Sequence, residues 1–274
     1  MNWKRNAFVT VMWVGCLMGV SGVFAEEMGE LVTDRPDATE SSSTVAPGYL
    51  QLESGFTHFE HNDKGDGLEG HGVVESLLRV GLAEDWELRL GYGGYQWERS
   101  HSTGGPTDDD DGSADPEIGF KVKLAEEEGM MPEMAFMSHL SLPTGKGPFT
   151  SHRADPSYRF AFSHTLSEKY SLGYNLGQAW ATEEDALGDR DTRSAFQYTV
   201  ALGMAIDETT GMFVECFGDI PTGSGGVGPA NTLDGGFTWL LADNVQLDLV
   251  GGVGLSDSTA DWFIGTGISI RLPN

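Results

Sequence analysis

Apolar and polar residues alternate along most of the chain after Tyr49. In one clear segment, Trp86 and Leu88 are separated by Glu87 and followed by Arg89. Successive side chains of a β-strand point to opposite faces, whereas a helix repeats its apolar positions every three or four residues. The pattern therefore predicts strands. Twelve are predicted, near residues 49–59, 72–82, 86–96, 115–124, 131–142, 156–166, 169–181, 194–207, 211–220, 233–241, 244–255 and 261–272.

The connections between these strands alternate in length. Short turns are expected at 83–85, 167–168, 207–209 and 242–243, with 125–129 intermediate, and long loops at 60–70, 98–114, 143–154, 182–193 and 221–232. Short turns on one rim and long loops on the other are typical of bacterial outer-membrane barrels. The predicted fold is all-β, a twelve-stranded antiparallel transmembrane β-barrel over residues 49–274 with short periplasmic turns and longer extracellular loops.

The apolar face of the predicted strands carries no Asp, Glu, Lys or Arg, although charged residues make up 21% of the chain. A secreted β-sandwich also alternates, but its polar face meets bulk water, whereas here that face consists mainly of small and uncharged residues, as a narrow interior requires. Aromatic rings on the apolar face near strand ends are typical of a lipid interface. They are Trp86, Tyr170, Trp180, Phe196, Trp239 and Trp262.

The first 25 residues have the features of a secretory signal peptide. Lys4 and Arg5 precede an apolar stretch, and Val23 and Ala25 supply the small residues expected before a cleavage site. A retained anchor is disfavoured because glycines interrupt the stretch, and lipidation of Cys16 is disfavoured by the residues before it. We therefore expect export to the bacterial outer membrane after cleavage of residues 1–25.

Residues 26–48 do not alternate. Because they precede the first strand on the periplasmic side, they form either an exposed flexible leader or a plug that folds into the lumen. The candidate plug residues are Asp34, Arg35 and Asp37, and Arg35 is expected to meet an inward carboxylate.

The formal net charge is −26, from 16 Lys and Arg against 42 Asp and Glu. This balance excludes a nucleic-acid partner, because binding phosphates requires clustered basic residues. No cofactor is expected. The run Asp108–Asp111 does not fit a calcium-loop pattern and is interpreted as a solvated acidic rim, so no metal site is predicted.

The charged residues on the polar faces are the candidate lining of a lumen. Nine are acidic and six are basic, so a pathway along them would favour cations weakly; the alternative is a set of ion pairs that only stabilises the barrel. The acidic positions are Glu53, Glu75, Glu87, Asp115, Glu117, Glu133, Glu215, Asp234 and Asp248, and the basic ones are Arg79, Arg89, Lys121, Lys123, Arg159 and Arg271. A twelve-stranded barrel leaves a narrow pore at most.

One arrangement allows a catalytic interpretation. His139 and Ser141 lie two apart on one strand, as in the His-x-Ser of outer-membrane phospholipase, but the Asn-Gly-Arg that follows in that family is missing. Their alternation also points them inward, away from lipid. We expect the protein not to be an enzyme, and lipid hydrolysis at these residues stays an alternative.

Several segments resemble a bacterial outer-membrane transporter family labelled as a meta-pathway of phenol degradation. They are TDRPD at 33–37, ESSSTV at 40–45, PGYLQLESG at 47–55, ADPEIGFK at 114–121, LPTG at 142–145, ECFG at 215–218, QLD at 246–248 and DWFIGTGISIR at 261–271. The resemblance implies an outer-membrane barrel that passes small, including aromatic, solutes. The chain departs from the usual barrel pattern at its end, which is Asn274 instead of an aromatic residue.

The function expected from the sequence is a channel for diffusion of small solutes across the outer membrane. Its expected partners are outer-membrane lipid, a small solute and the barrel-assembly machinery. The alternatives are the lipid hydrolase at His139 and Ser141, and a structural barrel with a plugged lumen.

Overall fold

A computed structural model describes residues 29–63, 66–184, 190–223 and 228–273. The predicted signal peptide and residues 26–28 lie outside them. The strands are β1 (Tyr49–Asp63), β2 (Asp66–Ala83), β3 (Trp86–Tyr92), β4 (Tyr95–His101), β5 (Thr107–Ser113), β6 (Pro116–Ala125), β7 (Glu133–Ser141), β8 (Pro156–Thr165), β9 (Tyr170–Glu184), β10 (Arg190–Ala205), β11 (Thr210–Pro221), β12 (Ala230–Ala242), β13 (Val245–Gly254) and β14 (Trp262–Pro273). A short 3₁₀ turn spans Gly147–Phe149.

Twelve of these strands close into an antiparallel barrel, as the alternation predicts. Neighbours along the chain pair with each other, and β1 pairs with both β2 and β14, which closes the sheet. The twelve are β1–β3 and β6–β14. Because the sheet closes, each of the twelve strands pairs its backbone N–H and C=O groups with a neighbour on both sides, as burial in lipid requires.

The remaining two strands, β4 and β5, extend the barrel at the long-loop rim. The chain leaves β3 through Gly93 and Gly94, where Gly94 has a φ of 85° that favours glycine. It continues as β4, which pairs with the far end of β2, and returns as β5 before entering β6. Asp108–Asp111 therefore lie on a strand, and the prediction of a loop over 98–114 is wrong.

Two other predicted long loops are also shorter in the structure. The strands β1 and β2 reach Asp63 and Asp66, while β9 and β10 reach Glu184 and Arg190, so most of 60–70 and 182–193 is strand. Hydrophobic alternation detects only the part of a strand that faces lipid. The polar ends that continue beyond the membrane carry no such signal.

The outer face of the barrel is apolar and the inner face is polar. On β3, Trp86 and Leu90 are 48% and 39% exposed, whereas Glu87 and Arg89 between them are buried. Near the long-loop rim lie Trp180, Phe196 and Trp262, and near the short-turn rim lie Trp86, Tyr170 and Trp239. No helix within the described ranges is long and apolar enough to cross a membrane.

Candidate functional site in the barrel lumen

Residues 29–48, here called the N-terminal segment, lie inside the barrel. The Glu40 N–H donates to the Asn175 side chain of β9 at 2.8 Å, and the Val45 N–H donates to Glu87 of β3 at 2.8 Å. Strands from well-separated parts of the barrel wall thus contact one short segment. The segment must therefore cross the lumen.

The densest contacts form a central cluster, defined as Asp34, Glu53, Arg79, Glu87, Arg89 and Lys121. Asp34 of the N-terminal segment lies at its middle. One oxygen of its carboxylate is 2.6 Å from Arg89 Nη1, 2.9 Å from Lys121 Nζ and 3.3 Å from Arg79 Nη1. These three cations come from β3, β6 and β2, so a single carboxylate links three strands to the segment.

Two strand carboxylates complete the central cluster. Glu87 Oε1 lies 3.0 Å from Arg79 Nε and 2.7 Å from Arg89 Nη1, and Glu53 Oε1 lies 3.2 Å from Arg79 Nη1. All these side chains are buried. Three buried cations are balanced by three carboxylates, which is the condition under which buried charges are tolerated, and loss of one partner is costly.

Arg35 anchors the N-terminal segment to the adjoining wall, which is formed by β1, β14 and β13. Its Nη2 lies 3.3 Å from Asp248 Oδ1 on β13. The guanidinium lies directly against the backbone of Gly55 and Gly267, and a Cβ atom at either glycine would overlap it. Glycine at these two positions is what allows the arginine to lie flat on the wall.

Further contacts hold the segment to β7 and β11. The Ala38 N–H donates to Glu215 at 2.7 Å, and the Ser42 hydroxyl donates to Glu133 at 2.6 Å. Arg271 donates to the Gly29 carbonyl near the short-turn rim.

A cavity of about 630 Å³, here called the outer cavity, lies between the N-terminal segment and the long-loop rim. Arg35 and Glu40 contribute to its floor, and Glu75, Glu117 and Arg159 line its wall. Arg159 Nη1 lies 3.4 Å from Glu40 Oε1, while Glu117 is exposed to the cavity. This part of the lumen is wide enough for water and small solutes.

On the short-turn side of the segment, a smaller cavity of about 220 Å³ is lined by Asp37, Thr39 and Phe213. The N-terminal segment therefore separates this smaller cavity from the outer cavity.

Two other predicted lining residues lie nearer the short-turn rim. Asp234, on β12, is buried beside its cross-strand neighbour Glu215. Lys123 pairs with Glu126 of the following turn at 2.5 Å, so this predicted lining residue faces the short-turn rim.

His139 and Ser141 both line the outer cavity, as their alternation suggests. Arg89 Nε donates to His139 Nε2 at 2.9 Å, and the Ser141 hydroxyl accepts the Asp155 N–H at 3.1 Å. No hydrogen bond joins the two side chains within the described part of the chain. The imidazole is thus engaged by a cation and not by the serine that it would have to activate.

Sequence reasoning missed several residues that hold the segment. Glu40 lies 2.5 Å from Arg89, and Ser42 is almost completely buried between Glu133 and Ser163. Neither stands out in a polar stretch without periodicity. The only available signal was the set of inward charges on the strands, which required partners from elsewhere in the chain.

A closed barrel with an apolar outer face, aromatic belts and an ion-paired interior is the fold of outer-membrane barrels. The chain belongs to the family described as "Putative MetA-pathway of phenol degradation", whose model matches residues 33–272. A comparison with curated proteins gave no match.

Solved structures agree with this fold. The chain is similar to an outer membrane channel from Pseudomonas putida F1, with 14% identity, a TM-score of 0.66, and coverage of 84% of this chain and 98% of that one. It is also similar to the NanC porin, with 8% identity, a TM-score of 0.52, and coverage of 81% of this chain and all of that one.

Proposed function

We propose that this protein is an outer-membrane channel through which small solutes diffuse, and that its N-terminal segment narrows the lumen. The observation that carries the proposal is the outer cavity, a space of about 630 Å³ whose lining includes many charged side chains, inside a barrel whose outer face is apolar. Such a barrel is stable in lipid, where it contacts outer-membrane lipid directly, and it reaches the membrane through a signal peptide and the barrel-assembly machinery.

The chemistry of the outer cavity favours small solutes that carry polar groups. Carboxylates of Glu40, Glu75 and Glu117 share its surface with Arg35 and Arg159. A small organic compound with a hydroxyl or amino group can hydrogen-bond to such a wall, and the family description points to phenol-like compounds. The acidic excess favours neutral and cationic solutes over anions.

The test is a liposome-swelling series with the chain that remains after signal-peptide cleavage, residues 26–274. The solutes are sugars of increasing size and small amines and carboxylates of matched size, because phenol itself crosses lipid unaided. We expect the smallest sugars and amines to enter fastest and entry to stop as size increases.

Heat-modifiability on gels establishes that the reconstituted barrel is folded. A folded barrel that admits none of these solutes would contradict the channel and support a plugged structural barrel. Release of fatty acid from lipid that disappears in Ser141→Ala would instead support the hydrolase.

A further inference from the structure

A group of histidine and glutamate side chains lies on the outer face of β1 and β2, close to the long-loop rim. His58 is directly opposite His71, and Glu60 is directly opposite Glu69. Alternate residues of a strand share a face, so all four side chains point the same way. The His71 ring stacks on Phe56, which is 37% exposed, and this places the group outside the barrel.

The histidines approach each other as ligands of one ion do. His58 Nδ1 and His71 Nδ1 are 3.0 Å apart, and one ligand atom each from His58, Glu69 and His71 lie within 4.8 Å of one another. With Zn–N bonds of roughly 2.0–2.1 Å, two nitrogens on a tetrahedral zinc ion lie about 3.3 Å apart. The observed spacing is about 0.3 Å shorter and is that of a hydrogen bond between the two rings, so a small separation of the rings would admit the ion.

The glutamates are placed to complete such a site. Glu60 Oε1 lies 3.7 Å from His58 Nε2, and Glu69 Oε1 lies 3.5 Å from His71 Nε2. The Glu60 carboxylate beside Nε2 orients the His58 ring and leaves its Nδ1 lone pair for a metal, whereas Glu69 offers its own carboxylate oxygen as a third ligand atom. Two glutamates directly opposite each other repel when no cation is present, and a bound dication removes that repulsion.

We propose that His58, His71 and Glu69 bind a transition-metal dication of the zinc type, and that Glu60 orients the His58 ring. Imidazole ligands favour zinc, copper or nickel ions over magnesium and calcium. The ion cross-links β1 to β2 where this hairpin extends past the aromatic belt at Trp262, whose ring is 5.1 Å from that of His58.

The experiment uses the folded, signal-cleaved chain in detergent, stripped of metal with a chelator and titrated with Zn²⁺ alone by calorimetry. We expect one Zn²⁺ per chain. Substitution of a residue that only orients a metal ligand lowers metal affinity about 10–100-fold. Because His58 and His71 are ligands themselves, His58→Gln and His71→Gln should each weaken zinc binding by at least that factor. Glu69→Gln should weaken it as well.

The matched control is His61→Gln. This histidine is on the same strand but on the opposite face, with its Nδ1 3.9 Å from Asp261, and the substitution should leave zinc affinity unchanged. Heat-modifiability of each variant shows that the barrel has folded. The proposal is overturned if the wild-type chain shows no saturable zinc binding, or if His58→Gln and His71→Gln bind zinc as the His61→Gln control does.

Discussion

The inward charged side chains are accommodated differently at the two ends of the lumen. Toward the short-turn rim, the N-terminal segment occupies much of the lumen, and the buried charges of the central cluster are matched one to one. Toward the long-loop rim, the outer cavity is open, and the Glu117 side chain is exposed to it.

Alternation along a strand therefore specifies which side chains point inward but not which partners satisfy their charges. Arg89 of β3 and Glu117 of β6 both point inward, yet one is buried in a network and the other is exposed. What separates them is a segment distant in sequence. Matched substitutions at the two ends should therefore differ in their effect on the stability of the barrel.

The largest expected effect is on conductance when the N-terminal segment is removed. A mature chain that starts at Pro47 lacks Asp34, Arg35 and Glu40, and the two cavities should then join into one path. Single-channel recording in planar bilayers should show a conductance several-fold above that of the full mature chain. Gel mobility before and after heating verifies the barrel, and an unchanged conductance would contradict the constricting role of the segment.

The next effect compares one carboxylate from each end. Asp34→Asn leaves three buried cations short of one partner, and breaking a buried ion pair in this way costs about 3–5 kcal/mol. Glu117→Gln changes an exposed side chain, so no measurable loss of stability is expected. The measurement is urea unfolding in lipid vesicles, monitored by tryptophan fluorescence, and equal loss of stability in both variants would remove the distinction between the two ends.

The barrel could be predicted from the sequence, whereas the central cluster could not. Polar Glu87 and Arg89 alternate with apolar residues such as Leu90 along β3. Such a period of two can be recognised without knowledge of the rest of the chain. Asp34 gives no such signal, because its three partners lie 45 to 87 residues away and meet it only after the barrel closes.

The zinc-type site escaped prediction for a related reason. Its residues occur as His58-Phe59-Glu60 and Glu69-Gly70-His71, two patterns too short to predict a metal site on their own. Only the pairing of β1 with β2 brings His58 opposite His71. Likewise, Asp108–Asp111 look like a loop because strand β5 has no apolar face.

A smaller effect is expected at glycines of the two ends. In Gly55→Ala the new methyl group overlaps the Arg35 guanidinium, the end of a flexible side chain that must shift away from Asp248, so we expect a cost of about 1 kcal/mol, the lower end of the range for overpacking. At Gly91 the nearest atom to a new Cβ is Glu117 Cβ at 3.4 Å, an ordinary contact, so Gly91→Ala should be close to neutral. The same unfolding assay compares them, and an equal response would argue against the tight seating of Arg35.

The smallest expected effect concerns the acidic strand β5 beyond the outer cavity. Asp109 pairs with Arg99 at 2.7 Å on the outer face, whereas Asp108 and Asp110 share the opposite face with Gly112, which packs against Lys146 of the loop after β7. Asp108 and Asp110 therefore face the mouth of the lumen, whereas Asp109 does not. These carboxylates should concentrate cations there and repel anions.

Screening makes this effect depend on salt. The screening length is about 30 Å at 0.01 M and about 3 Å at 1 M, so the exposed carboxylates act at a distance only in dilute solution. In a salt gradient, Asp108→Asn with Asp110→Asn should reduce the cation-selective reversal potential in dilute salt and leave it nearly unchanged in concentrated salt. Asp109→Asn with Asp111→Asn is the matched control and also removes two charges. A smaller change is expected from it, because Asp109 pairs with Arg99, Asp111 accepts a hydrogen bond from Tyr95, and both lie on the face that points away from the mouth. If the two double variants shift the potential equally, the charge of the hairpin acts as a whole and the face on which each carboxylate lies is immaterial.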